Sequence, residues 1–218
     1  LVGAAGAETL EGGTGDDTLV GSAGADSLVG GTGFDTADYS GSTSAVTVYT
    51  DGSISLGGQA AGDTLDSIER VVGSDFADVI NGSSANEQFD GGAGNDTLFG
   101  GFGTDTLNGG AGDDVLVGGA GADVLTGGTG IDTADYSASV VSVQVNLNGL
   151  ASSGGDADGD MLTGIEKVIG SSFDDVIRAG SDNDTLFGSA GNDTIIAGTG
   201  ADSIDGGTGA DTADYSGA

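Results

Sequence analysis

The sequence predicts an all-β solenoid in which short strands stack into a coil, with two nonapeptide repeats in each turn of the coil. Two observations lead to this fold class: a period of nine residues along most of the chain, and a longer repeat whose spacing changes by 18 residues. The composition agrees, because 47 glycines and no proline suit a chain that needs many unusual backbone angles. A random linker rarely combines abundant glycine with regularly placed Leu, Ile and Val.

The nine-residue period divides into three arrays. In the first, residues 12–20 read GGTGDDTLV and residues 21–29 read GSAGADSLV. The second contains GGAGNDTLF, GGFGTDTLN, GGAGDDVLV and GGAGADVLT in succession from Gly91, and the third contains GSAGNDTII from Gly188. We place the arrays at residues 1–40, 73–137 and 170–218. Degraded copies carry Glu8 and Glu87 at the aspartate position.

A longer repeat closes each array with DTADYS, at Asp35, Asp132 and Asp211. The spacings are 97 and 79 residues, so they differ by two nonapeptides, which is the increment expected if two nonapeptides make one coil. Segments 41–72 and 138–169 link the arrays and align without gaps. Their alternating β-branched residues predict short strands, so we expect them to continue the same solenoid with longer side loops.

The charge balance restricts the partners. There are 35 acidic and 3 basic residues, a net charge of −32, which repels nucleic acids and anionic lipid surfaces and favours cations. Cysteine and histidine are absent, which excludes disulfides, thiolate sites and imidazole chemistry. No apolar run is long enough to insert into a membrane. Because the chain starts without Met and stops inside a repeat, we expect it to be part of a larger polypeptide.

The phrase GGxGxDxUx, with U a large apolar residue, resembles the RTX (hemolysin-type) calcium-binding repeats. That resemblance implies a parallel β-roll. The first six residues of each unit form a turn, the last three form a strand, and units n and n+2 stack with calcium between their turns. Stacked aspartates repel one another without a cation. Calcium accepts six to eight oxygen ligands in irregular geometry, whereas magnesium needs a tighter octahedron and zinc prefers His or Cys.

The resemblance assigns the calcium ligands to the aspartate at position six and to the glycines of the turn. The predicted aspartates are Asp17, Asp26, Asp35, Asp96, Asp105, Asp114, Asp123, Asp132, Asp184, Asp193, Asp202 and Asp211, with Asp78 and Asp175 as weaker candidates. The predicted glycines are Gly12, Gly13, Gly15, Gly91, Gly92, Gly94, Gly100, Gly101, Gly103, Gly109, Gly110, Gly112, Gly118, Gly119, Gly121, Gly188 and Gly191. Pairing of stacked units predicts roughly six to ten calcium ions. A single aspartate of this kind could equally serve its turn alone.

Position eight predicts the core, at Leu19, Leu28, Leu98, Leu107, Leu116, Leu125, Leu186, Ile195 and Ile204. Burial of this thin core stabilises the fold too little to outweigh the ordering entropy and the carboxylate repulsion. We therefore expect folding to require metal. We expect the DTADYS tyrosines Tyr39, Tyr136 and Tyr215 to pack.

Other sites fit the sequence less well. The stretch from Asp156 to Asp160 opens like an EF-hand loop, but Met161 and Lys167 stand where its glycine and closing glutamate belong; a loop calcium site stays open. Glu69 and Glu166 beside basic residues are interpreted as structural ion pairs or a solvated face.

The sequence offers no catalytic site. No Ser nucleophile has a base, no helix follows the glycines to make a dinucleotide site, and calcium-binding carboxylates are unavailable as glycosidase acids. We therefore predict a non-enzymatic chain.

Two functions remain. The first is a calcium-stiffened structural or adhesive rod in a secreted surface-layer or matrix protein. The alternative is a non-catalytic module that assists export and folding of a secreted protease, lipase or polysaccharide epimerase. Both place the chain outside the cell or at its surface, exported by type I secretion. The open coil ends also allow self-association.

Overall fold

A computed structural model describes residues 1–216, which form an all-β parallel solenoid of about 11 turns. Its elements explain the nine-residue period, because each unit contributes one strand and one turn. The strands are β1 (Thr9–Thr14), β2 (Thr18–Leu19), β3 (Ser27–Thr32), β4 (Thr36–Asp38), β5 (Thr47–Tyr49), β6 (Thr64–Asp66), β7 (Arg70–Val72), β8 (Val79–Asn81), β9 (Gln88–Ala93), β10 (Thr97–Phe102), β11 (Thr106–Ala111), β12 (Val115–Ala120), β13 (Val124–Thr129), β14 (Thr133–Asp135), β15 (Gln144–Asn146), β16 (Met161–Thr163), β17 (Lys167–Ile169), β18 (Val176–Arg178), β19 (Thr185–Phe187), β20 (Thr194–Ile196), β21 (Ser203–Asp205) and β22 (Thr212–Asp214). Two 3-10 turns lie at Gly58–Ala60 and Gly155–Ala157.

The strands form two opposing faces, and the chain crosses from one to the other with each unit. Face A contains the sheet β2-β4-β7-β9-β11-β13-β16 and the sheet β15-β18-β20-β22. Face B contains the sheet β1-β3-β6 and the sheet β5-β8-β10-β12-β14-β17-β19-β21. Within an array each strand pairs in parallel with the strand 18 residues away, as Leu98 does with Leu116. Two nonapeptides therefore make one coil, as predicted.

The core is one column of apolar side chains between the two faces. Position eight points inward because strand residues alternate, and the strands show that pattern with the middle residue buried. Leu107, Leu116 and Leu125 are fully buried, and the other position-eight residues of the predicted set are buried as well, except Ile204, which is partly buried in the last coil. With about 1.5–3 kcal/mol for each buried large side chain, this column is the main apolar contribution.

The linking segments change the order of the strands. We define the first junction as residues 47–66 and the second as residues 144–163. In the first, β5 pairs forward with β8, then the chain doubles back through an antiparallel bridge between Thr47 and Leu56, and β6 pairs backward with β3. The second junction repeats this with β15 pairing β18, β16 pairing β13, and a bridge between Gln144 and Ser153.

Each junction interrupts one face and leaves the other continuous. The first separates the two sheets of face B, while β4 and β7 pair directly on face A. The second separates the two sheets of face A, while β14 and β17 pair directly on face B. The two junctions therefore lie on opposite faces of the solenoid.

Candidate metal centre

The position-six carboxylates form ladders along both edges of the solenoid. In each ladder, one carboxylate oxygen accepts the backbone N–H of the acidic residue one coil earlier. The Asp96 N–H donates to Asp114 Oδ1 at 2.7 Å, and the Asp105 N–H donates to Asp123 Oδ1 at 2.8 Å. The bond fixes the orientation of each carboxylate, so its second oxygen points in a defined direction.

That second oxygen is buried without a hydrogen-bond partner in most of the predicted aspartates. This holds for Oδ2 of Asp26, Asp35, Asp96, Asp105, Asp114, Asp123, Asp132 and Asp193, and for Oε2 of Glu8. Leaving one buried acceptor unsatisfied costs about 1–3 kcal/mol, and more if it is charged. A row of such oxygens at equivalent positions needs a partner that the protein does not supply.

Position-one glycines line the space in front of these oxygens. A Cβ placed on Gly100 would lie 2.6 Å from Asp105 Oδ2 and 2.5 Å from the carbonyl oxygen of Gly118 in the next coil. A Cβ on Gly12 would lie 2.9 Å from Asp17 Oδ2. A carboxylate oxygen and a carbonyl oxygen therefore converge on a space that only glycine leaves open.

Glycines at positions two and four shape the turn. At position two, Gly101 has φ +101° and Gly110 has φ +106°, and at position four Gly103 has φ +127°. L-residues rarely adopt these angles. All the predicted glycines lie in such turns: Gly12, Gly91, Gly100, Gly109, Gly118 and Gly188 at position one; Gly13, Gly92, Gly101, Gly110 and Gly119 at position two; Gly15, Gly94, Gly103, Gly112, Gly121 and Gly191 at position four.

The aspartates of the second array resist ionisation without a cation. Burial raises the pKa of Asp96 to about 7, although a backbone hydrogen bond to Asp78 opposes the shift and the charge of Asp114 adds to it. Burial likewise raises the pKa of Asp105 and of Asp132 to about 6, with neighbouring carboxylates adding to the effect. Ionising these carboxyls in the folded chain is therefore costly, and a bound proton or metal ion would lower that cost.

The donor set fits a hard cation with oxygen ligands. Within residues 1–216 no three acidic side chains converge on one point, so an ion here would take one or two carboxylates and complete its shell with backbone carbonyls. Calcium tolerates that mixture and its irregular geometry. The orphan oxygens and the open glycine turns thus fit calcium, which would neutralise the stacked carboxylates and bridge adjacent coils.

Some of the predicted aspartates do not have a buried second oxygen without a partner. Asp17 and Asp202 are half-buried near the two ends of the solenoid, and Asp211 is exposed in the last coil. Asp184 is buried, but its Oδ2 accepts the N–H of Gly180 at 2.8 Å. The weaker candidates Asp78 and Asp175 are also buried and have protein donors of their own.

Sequence reasoning missed four members of the ladders. Asp63 Oδ1 accepts the Asp26 N–H and Asp160 Oδ1 accepts the Asp123 N–H, each at 2.8 Å. Glutamates take the same place elsewhere, as Glu69 Oε2 does for the Asp35 N–H at 2.9 Å and Glu166 Oε2 for the Asp132 N–H at 3.0 Å. The signal for the two aspartates was the D-x-Leu spacing, which survives in both junctions after the glycines are lost.

The expected contacts of Arg70, Lys167 and Tyr215 need correction. Arg70 pairs with Asp90 at 3.7 Å rather than with Glu69, and the ammonium group of Lys167 lies 5.4 Å from the centre of the Phe187 ring. The glutamates belong to the ladders instead. Tyr39 and Tyr136 are buried as predicted, but Tyr215 is exposed, because no described coil covers it.

Together, the parallel coil, the carboxylate ladders and the glycine turns define an ion-binding β-solenoid, a class in which repeats fold around cations. The family model of the RTX calcium-binding nonapeptide repeat, in its four-copy form, matches residues 2–37, 63–98, 99–134, 162–195 and 179–213. The matches cover more than half of the chain, so the chain belongs to this family. Residues 38–62 and 135–161 lie outside the matches and contain most of each junction.

Membership in this family establishes the general character of the chain. The chain is a calcium-binding repeat protein with a β-roll fold, a kind of domain that is typically non-catalytic, and RTX repeats are typical of secreted bacterial proteins. No curated protein shows significant similarity to the chain. Among the helical turns of residues 1–216, none has the length and apolar character needed to cross a membrane.

Proposed function

We propose that this chain is a calcium-dependent structural module whose position-six aspartates and turn glycines hold the ions. The observation that carries the proposal is the row of eight buried aspartate oxygens without protein partners. Counting one ion for each gives about eight, within the range expected from pairing stacked repeats. Each ion would join two coils, so binding and folding would be one process.

The test is a calcium titration of chain stripped with EDTA, followed by far-UV circular dichroism and calorimetry. We expect a cooperative transition from coil to β structure at around 0.1–1 mM calcium, with no equivalent transition in magnesium. The variant D114N should weaken the transition, because Asp114 is fully buried and belongs to the longest array. An unchanged spectrum on addition of calcium would exclude a metal-dependent fold.

We propose further that the module is a stiff rod in a secreted or cell-surface protein, exported through a type I channel and folded only outside the cell. The uniform stacking of parallel coils supports a rod, and a threshold above cytosolic calcium supports an unfolded state during export. Small-angle scattering tests this: calcium should convert a flexible chain into one elongated particle.

A second role is that of a non-catalytic module attached to a secreted protease, lipase or polysaccharide epimerase. The row of unpaired aspartate oxygens favours it equally, since an appended enzyme would use the same calcium-driven folding to assist export. Sequencing outward from both ends separates the two roles. A catalytic domain upstream would support the module, whereas further DTADYS blocks would support the rod.

A further inference from the structure

A second group of position-six carboxylates already has protein donors on both oxygens. Asp175 Oδ2 accepts the Ser171 N–H at 2.6 Å, and its Oδ1 accepts the Ser171 hydroxyl at 2.7 Å and the Val143 N–H at 2.8 Å. Asp78 has the same set from Ser74 and Val46. These carboxylates need no cation to satisfy their oxygens.

The next unit after each of these also has protein donors, on both oxygens of Glu87 and on one oxygen of Asp184. Both Glu87 oxygens accept from Ser83, its N–H and its hydroxyl each at 2.8 Å, and the Thr50 hydroxyl also donates to Oε1. In the second block, Asp184 Oδ2 accepts the Gly180 N–H at 2.8 Å. We call the turns that end at Asp78, Glu87, Asp175 and Asp184 the closed turns.

The backbone angle at position two distinguishes the closed turns from the open ones. Every aspartate with an orphan Oδ2 follows a position-two residue with positive φ, including the non-glycine residues Ser22 at +74° and Ser189 at +79°. The position-two residues of the closed turns, Ser74, Ser83, Ser171 and Gly180, do not have positive φ. With the opposite φ, the position-two N–H points at the carboxylate and occupies the side on which an ion would bind.

Tyrosine hydroxyls close the ladders inside the junctions themselves. The Tyr136 hydroxyl donates to Asp160 Oδ2 at 2.8 Å, and the Tyr39 hydroxyl donates to Asp63 Oδ2 at 3.1 Å. Both aspartates are completely buried, and both tyrosines are nearly so. At these two levels the second carboxylate oxygen therefore has a protein donor, whereas the open turns leave it unpaired.

The closed levels cluster twice in the chain, with Glu69 and Glu166 between their members, each with one oxygen paired. In the first block they run from Asp63 through Glu87, and in the second from Asp160 through Asp184. From this arrangement we infer that residues 40–90 and 137–187, which we call the collars, fold without calcium, whereas residues 91–132 require it. The inference rests on the proposed calcium-dependent function. It adds that calcium is needed to fold the long array, residues 91–132, and that this array lies between two collars that fold without calcium.

Each collar also contributes buried apolar residues to the common column. In the first, Val46, Val48 and Leu65 are buried together with Ala60 of the 3-10 turn. In the second, the equivalent Val143, Val145 and Leu162 are buried with Ala157. The collars and the array thus share one apolar column, but the closed turns of the collars carry paired carboxylates, whereas the carboxylates of the array have unpaired oxygens.

Hydrogen-deuterium exchange of the whole chain, in EDTA and in 5 mM calcium (about ten times a typical extracellular affinity), tests the inference. In EDTA we expect peptides from both collars to exchange at least about tenfold more slowly than peptides from residues 91–132. In calcium, all three regions should be protected. Uniformly fast exchange in EDTA with protection in calcium would overturn the collars but leave calcium-dependent folding standing. Exchange that calcium does not alter anywhere would overturn the proposed function.

A double variant adds a test within one molecule. Y136F with S171G removes two hydroxyl donors to carboxylates of the second collar, Asp160 and Asp175, so exchange in EDTA should accelerate at residues 137–187 and stay unchanged at residues 40–90. The matched control is S172G, since Ser172 is the exposed neighbour in the same turn. Equal protection of both collars in the double variant would overturn the role of the closed turns.

Discussion

Neutralising three buried aspartates of the second array should let that array fold without calcium. The variant is D96N/D105N/D132N, in which each asparagine keeps an oxygen for the ladder hydrogen bond and loses the charge. Burial raises the pKa of all three carboxyls, so their ionised form is disfavoured in the folded chain. We therefore expect the charge to oppose folding of the metal-free array at neutral pH.

The size of the effect follows from the pKa values. One pKa unit corresponds to about 1.4 kcal/mol, so a shift from 3.8 to about 7 at Asp96 disfavours the folded state by about 4 kcal/mol at pH 7 or above. The shifts to about 6 at Asp105 and Asp132 give about 3 kcal/mol each. Because solvent screening reduces each contribution, the combined penalty is several kcal/mol, which is still a large part of the stability of an ordinary domain.

The raised pKa values also define how the stability of the metal-free fold changes with pH. Because the folded-state pKa lies above the unfolded value, the metal-free fold is favoured below about pH 4 and loses stability as the pH rises towards 7. In EDTA, the wild-type chain should therefore gain β structure on acidification. The asparagine variant should show that structure already at pH 7.

Far-UV circular dichroism in EDTA between pH 8 and pH 4 measures both effects. The control is D66N/D75N/D182N, which removes the same charge from exposed positions. We expect the control to follow the wild type and the buried variant to lose its acid transition. If both triple variants shift equally, general charge reduction is responsible and the reasoning from buried carboxylates is refuted.

Three further predictions concern single positions. L116A should lower the free energy of unfolding of the calcium-bound chain by about 2–5 kcal/mol in urea, because Leu116 is fully buried in the column; a loss below 1 kcal/mol would contradict that packing. G100A should weaken calcium affinity in calorimetry, since its Cβ would meet the cradle oxygens, whereas G41A, whose Cβ has no neighbour closer than 3.8 Å, should not; equal affinities would contradict the cradle. R70A breaks a half-exposed ion pair and should change the thermal midpoint by less than a degree or two, so a large decrease would reveal a role that its geometry does not suggest.

The sequence predicts those features that repeat in register. Leu107 and Asp105 recur every nine residues with their neighbours, so one strand and one turn define the rest, and the structure places them as predicted. The ends depart from the pattern for a simple reason. Asp211 and Ile204 have the right sequence position but lack a full covering coil among the described residues, so they are exposed or partly buried.

The junctions were harder to predict because their contacts are not periodic. Nothing in the spacing of β-branched residues indicates that β6 pairs backward across 37 residues, from Thr64 to Ser27. Asp63 and Glu69 joined the ladders through this reversal, which a local pattern cannot reveal. The difference between open and closed turns was hidden for a similar reason, since Ser22 and Ser74 occupy the same position with opposite φ.

The placement of the junctions on opposite faces governs the trajectory of any longer array. The DTADYS strands β4, β14 and β22 lie on face A, face B and face A in turn, so successive blocks change face. A tilt that one junction gave to the axis would be reversed by the next, so we expect tandem blocks to keep a straight mean direction. Deleting or adding a single nonapeptide between junctions would put them all on one side and turn that straight path into an arc. Block length, counted in half-coils, therefore sets whether such a protein reaches outward or curls.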